Sequence, residues 1–165
     1  MISAVAVSVR ERRGLVELLR GVAWGVLPLV ASLFVIVAAL EQTGLATTLA
    51  ITLSGWAQQS ATRAAAWAGV LVAIGCNIVN NLPAGLLAGR VLQQGNLPQT
   101  VQAAVLIGVD LGPNLSLTGS LATLLWLAAL RREGVTVGAV QFLRLGIIVM
   151  TPAVVLSIAA VLVMD

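Results

Sequence analysis

Long apolar runs alternate with short polar interruptions along the 165-residue chain. The run 22–40 carries no charge in 19 residues. At 1.5 Å per residue it measures roughly 28 Å, enough to cross a bilayer. Trp24 near its start reads as an interface anchor, Pro28 as a kink position, and Glu41-Gln42-Thr43-Gly44 as a polar stop. A second clean run, 145–163, contains Pro152. Between 45 and 57, Leu45, Leu49, Leu53 and Trp56 fall on one helical face and most hydroxyl residues fall elsewhere. That segment is short for a span, so the pattern predicts an interfacial amphipathic helix, with a tilted span as the alternative.

Two other apolar runs are broken by polar knots. Segment 64–92 contains Asn77, Asn80, Asn81 and Pro83, and splitting it there leaves two arms that each look short of a full crossing. The expectation is a re-entrant helical hairpin with Asn81 capping the second arm and Pro83 in its first turn, where a missing N–H costs little. Segment 100–130 is interrupted by Gly112-Pro113-Asn114, followed by Ser116, Thr118 and Ser120. It reads as a broken transmembrane helix, with Asn114 or Ser116 as cap of its second half. Unpaired polar groups in hydrocarbon cost several kcal/mol each, so non-helical backbone at membrane depth needs protein or a water-filled cavity around it. The fold class expected is therefore an all-α integral membrane protein with two full spans, a re-entrant hairpin and a broken helix. Residues 1–21 form a cytoplasmic arm and 22–165 the transmembrane domain. The first residues lack a charged leader and a cleavage signature, so they do not read as a signal peptide.

Composition strengthens this reading. Hydrophobic residues make up 59% and charged residues 9%, against about 25% charged in a soluble domain. All nine basic residues are Arg, scattered without a stripe or an aromatic ladder, so nucleic-acid binding is not indicated. They serve better as topology signals and headgroup contacts. With the N-terminal arm inside, Arg10, Arg12, Arg13, Arg20, Arg131, Arg132 and Arg144 all fall on the cytoplasmic side and only Arg63 and Arg90 on the other. A crossing by 45–57 or by the hairpin changes this parity.

The knots also hold the candidate chemistry. A helix that stops at membrane depth exposes free N–H groups at one end and free C=O groups at the other, a common way to build a midplane substrate site. The competing reading is a packing kink bonded to neighbouring helices. Asp110 is the acid deepest in an apolar segment and a proton-coupling candidate, the alternative being a structural acceptor near the surface. Cys76 is the single cysteine, a weak candidate for contact with a soft metalloid and otherwise a buried thiol. With no His and no Lys, a metal site and a serine-type intramembrane protease are disfavoured, and no second buried Asp supports an aspartyl pair. The chain does not read as an enzyme, and no cofactor is called for.

The strings NNLPAGLLAG (80–89), IGVDLGPNLSLTGSLATLLWLAALRREG (107–134) and LFVIVAALEQTGL (33–45) closely resemble the C-terminal part of the arsenical pump membrane protein (ArsB) family. These are arsenite and antimonite efflux permeases of the ion transporter superfamily. The resemblance extends over nearly the whole chain from about Val22. It implies secondary export across a bacterial inner membrane, and for some members pairing with a soluble arsenite-stimulated ATPase. It also implies a fold of two inverted repeats, of which this chain resembles the second. Asn77, Asn80 and Asn81 would then lie at the hairpin tip, and Asp110, Asn114, Ser116 and Thr118 in the facing unwound region. A missing N-terminal repeat or a second chain would complete the site; otherwise the chain is a non-transporting fragment. Arsenous acid is a small neutral polyhydroxyl molecule that amides and hydroxyls can bind without a countercharge. A carboxylate or a Na+/H+ carrier would use similar groups, so the substrate is carried by the resemblance.

Overall fold

A computed structural model describes residues 24–163. The cytoplasmic arm expected at 1–21 lies outside the described residues. Contacts divide the chain into Met1–Ser32 and Leu33–Asp165. Of the first unit, residues 24–32 are described: a turn at Trp24 closed by the Leu27 N–H on the Trp24 carbonyl at 3.2 Å, then the start of α1 (Val26–Gln42). Pro28 sits in the first turn, where no intrahelical N–H is lost, so it does not act as a mid-helix kink.

α1 ends at Thr43 and Gly44. Gly44 adopts φ 74° and ψ 10°, and the Thr43 and Gly44 amides close the last turn on Leu40 and Glu41. This left-handed residue suits glycine. α2 (Leu45–Gln59) departs at once, bent by 67° from α1. The next helix, α3 (Ala61–Val79), is started by Ser60, whose hydroxyl accepts from the Arg63 N–H at 3.3 Å. α4 (Asn81–Gln94) follows after the single residue Asn80. α5 (Gln99–Leu111) runs into a short 3-10 turn, Gly112–Leu115, and after Ser116–Ser120 α6 (Leu121–Arg132) begins. α7 (Ala139–Val163) is the longest helix at 25 residues.

Two of these helices, α3 and α7, are long and apolar enough to cross a membrane, and three spans result if the bent α1–α2 pair counts as one. The sequence placed its two full spans at 22–40 and 145–163. The second is there and begins earlier, but α1 has only 17 residues. The first hairpin arm reaches 19 residues and is not short of a crossing. The segment expected from Ala64 begins three residues earlier, because the Ser60 cap draws Ala61, Thr62 and Arg63 into the first helical turn. The helix expected at 45–57 is present as α2, and the break expected in 100–130 is present between α5 and α6.

The core is made of small side chains. Ala46, Ala50, Ala64, Ala65, Ala68, Ala88 and Ala104 are buried together with Leu53, Val91, Val101 and Val105. They join α2, α3, α4 and α5. A smaller cluster, Ala73, Val154 and Ile158, brings in α7. In lipid there is no hydrophobic drive between helices, so close backbone approach through small residues supplies the packing. α3 and α5 are the most closely packed pair. A Cβ on Gly112 would fall 2.6 Å from the Ala73 carbonyl oxygen, and one on Gly108 would overlap the Gly69 carbonyl. Large apolar side chains such as Ile51, Ile78, Ile148 and Leu156 point outward, as expected for a surface facing lipid or further protein.

Candidate functional site

The break after α3 and the break after α5 meet. Asn80 separates α3 from α4 with φ 74° and ψ 148°, the positive-φ non-glycine residue among the described residues. Such a conformation costs of order 1–3 kcal/mol unless its surroundings compensate. Three hydrogen bonds do so. The Asn80 side-chain amide donates to the Thr118 carbonyl at 2.9 Å, and its Oδ1 accepts from the Leu82 N–H at 3.2 Å. The Asn81 N–H donates to the Gly119 carbonyl at 2.8 Å. Asn80, not Asn81, is thus the cap of α4, and Pro83 falls in the first turn, buried.

Asn77, one turn earlier, ties the same two elements from inside. Its Nδ2 donates to the Ala73 carbonyl at 2.8 Å and to the Gly112 carbonyl at 2.7 Å. The Asn77 side chain thus bonds the carbonyl at which α5 passes into the 3-10 turn, tying the end of α3 to the end of α5. Gly119 lets the loop pass close: a Cβ there would overlap the Pro113 carbonyl and lie 2.9 Å from Asn77 Oδ1.

The other expected site residues are distributed unevenly. Asn114 turns back on α5 and donates to the Asp110 and Leu111 carbonyls, both at 3.3 Å. It closes the end of α5 rather than opening α6. Ser120 is the cap of α6, its hydroxyl accepting from the Ala122 N–H at 3.2 Å, and not Asn114 or Ser116. The sequence contained this signal, a Ser directly before an apolar helical run, but the earlier polar residues drew the assignment forward. Thr118 contributes its backbone carbonyl, while its side chain is exposed. Asp110 lies half a turn from Gly108 and Gly112, the residues that pack on α3. Its carboxylate is exposed and makes no hydrogen bond among the described residues. Cys76 is fully buried and sits one residue before Asn77.

Two polar atoms at this junction are buried without a hydrogen-bond partner among the described residues: Asn77 Oδ1 and Ser116 Oγ. A group left in that state costs about 1–3 kcal/mol. Both belong to the knots, one to each. Thr100 Oγ1 is in the same condition but lies at the far end of α5, roughly 18 Å along the helix. No cluster of three or more Cys, Asp or Glu side chains that could hold a metal ion occurs among the described residues. The junction therefore holds two unpartnered neutral groups, Asn77 Oδ1 and the Ser116 hydroxyl, within tight backbone packing, with the Asp110 carboxylate exposed two residues before Gly112.

Apolar helices of spanning length with helix breaks joined by side-chain amides define a multi-pass helical membrane protein. The family model of the arsenical pump membrane protein matches residues 5–164, and the chain belongs to that family. It is 31% identical over 148 residues to the arsenical pump membrane protein of Escherichia coli (strain K12), and equally to that of Shigella flexneri. To the Yersinia enterocolitica protein it is 30% identical over the same length. Each match takes in 87% of this chain and 34% of the relative, so the chain spans about a third of the length of the curated relatives it matches. No solved structure matches it.

Proposed function

We propose that the chain supplies one half of the permeation site of an arsenite and antimonite efflux permease in a bacterial inner membrane, working as a secondary carrier. The observation that supports this reading most is the pair of buried, unpartnered atoms at the facing breaks, Asn77 Oδ1 and Ser116 Oγ. Arsenous acid is uncharged near physiological pH and presents hydroxyl groups all round. Both atoms are closed off as the breaks stand, so arsenous acid reaches them when the breaks part; one hydroxyl then donates to Asn77 Oδ1, and Ser116 Oγ exchanges a hydrogen bond with another. Each bond satisfies a group whose burial is otherwise costly, and neither asks for a countercharge. Asn80 and Asn81 hold the hairpin tip against Thr118 and Gly119 so that the two atoms stay in place. Asn114 and Cys76 shape the surrounding wall.

In this reading α3 and α4 form the hairpin of the repeat, and α5 and α6 its broken helix. Asp110 serves proton coupling from the side of α5 turned away from α3, where the missing repeat or a second chain completes the site. A soluble ATPase subunit is the partner that adds primary drive. The test is arsenite accumulation in an arsenite-sensitive bacterium expressing the chain alone, or together with the N-terminal two-thirds of a relative. Lower accumulation with both pieces supports the half-site. Unchanged accumulation in both cases refutes active transport by this polypeptide.

A further inference from the structure

A second feature runs from the Ser60 end of α3 down to the Asn80 break. α2, α3 and α4 leave a groove of about 340 Å³ between them, lined almost wholly by apolar residues including Leu53, Ala68, Leu71, Gly75, Leu87 and Ala88. At the Ser60 end it adjoins a recess of about 330 Å³ containing Gln59, Arg63 and Trp67, and Trp56 and Leu71 line both. On α3 the residues Arg63, Trp67, Leu71, Gly75 and Val79 follow at intervals of four and form one stripe. The stripe runs from a cation, past an aromatic ring, into an apolar floor, over roughly 24 Å. That is deeper than one leaflet of a hydrocarbon core about 30 Å thick.

We propose that this groove binds one anionic phospholipid, with its phosphate on the Arg63 guanidinium and an acyl chain lying over Gly75. Three observations select a lipid over a polypeptide helix. Arg63 is exposed and takes part in no salt bridge among the described residues, whose ion pair joins Arg90 to Glu41. A packed helix would bury that charge at high cost, whereas a phosphate neutralises it. Trp56 and Trp67, 43% and 62% exposed, flank it as aromatic rings do at headgroup depth. The floor is open at Gly75, where an added Cβ would meet nothing within 4 Å, so the groove admits a thin chain along its length.

The test is native mass spectrometry of the full chain in mild detergent, titrated with phosphatidylglycerol against a tenfold excess of phosphatidylcholine. The wild type retains one phosphatidylglycerol. Arg63→Gln lowers that retention at least fivefold by removing the charge. Gly75→Leu lowers it as much by filling the floor, while the charge stays and a good helix former replaces a poor one. Far-ultraviolet circular dichroism of both variants checks that the helices remain. Retention by both variants equal to wild type overturns the proposal. So does equal retention of the two lipids. A photo-crosslinker at Leu71 that captures polypeptide in membranes, with no lipid adduct, overturns it in favour of a protein occupant.

Discussion

The Asn80 side-chain amide reaches across 38 positions to the Thr118 carbonyl, 2.9 Å away, and so joins the turn after one helix to the unwound stretch after another. Asn80 holds a backbone conformation that few side chains other than glycine's hydrogen accept. Its second side-chain atom caps α4. Replacing it by Ala removes a hydrogen bond and a cap, each worth about 1 kcal/mol, and leaves the strain. Asn80→Ala is expected to lower stability by about 2–3 kcal/mol and Asn80→Gly by about 1–2 kcal/mol, because glycine relieves the backbone. Thr118→Ala is expected to change stability by less than about 0.5 kcal/mol, since the acceptor is a carbonyl and the side chain is exposed. Unfolding in mixed micelles with increasing dodecyl sulfate orders the three variants.

Gly112 and Ala73 set the distance between α3 and α5. A Cβ at position 112 would overlap the Ala73 backbone, which cannot rotate away as a side chain can. Gly112→Ala is expected to separate the two helices, break the Asn77 bond to the Gly112 carbonyl and cost at least about 2 kcal/mol. Gly75→Ala lies on the same hairpin arm but meets open space, and replacing glycine there is expected to gain about 0.5–1 kcal/mol of helix stability. Thermal unfolding followed by circular dichroism separates the opposite signs.

The Glu41–Arg90 ion pair, 2.8 Å long, joins the end of α1 to α4 with its side chains 36% and 55% exposed. Solvent and salt screen a pair of this kind. Glu41→Gln is expected to change stability by less than about 1 kcal/mol, with the difference fading as ionic strength rises. A salt titration of the unfolding midpoint for wild type and variant measures this.

The membrane-helical fold and both interruptions could be read from the sequence, since Asn77, Asn80, Asn81 and the Gly112-Pro113-Asn114 run stand out against apolar surroundings. The caps could not be placed as well. Asn80 and Asn81 are chemically identical neighbours, and only backbone geometry shows that the first takes the cap. The start of α3 three residues before Ala64 follows from the Ser60 cap, which takes Arg63 into the first helical turn. The unpartnered state of Asn77 Oδ1 and Ser116 Oγ had no counterpart in the pattern, because it depends on how α3 meets the 3-10 turn. The tight glycines were visible as residues, but their contacts with Ala73 and Pro113 needed the packing.

Substrate binding at the two facing breaks is proposed to use the atoms that the fold leaves unsatisfied, Asn77 Oδ1 and Ser116 Oγ. Ser116→Ala removes one such atom and its burial cost together, so stability is expected to hold or rise by about 1 kcal/mol. The most direct measurement is arsenite flux into everted vesicles carrying the chain together with its complementary N-terminal part, wild type against Ser116→Ala, with stability recorded on the same preparations. At least a tenfold loss of flux is expected at unchanged or higher stability. Flux equal to wild type at that stability contradicts it.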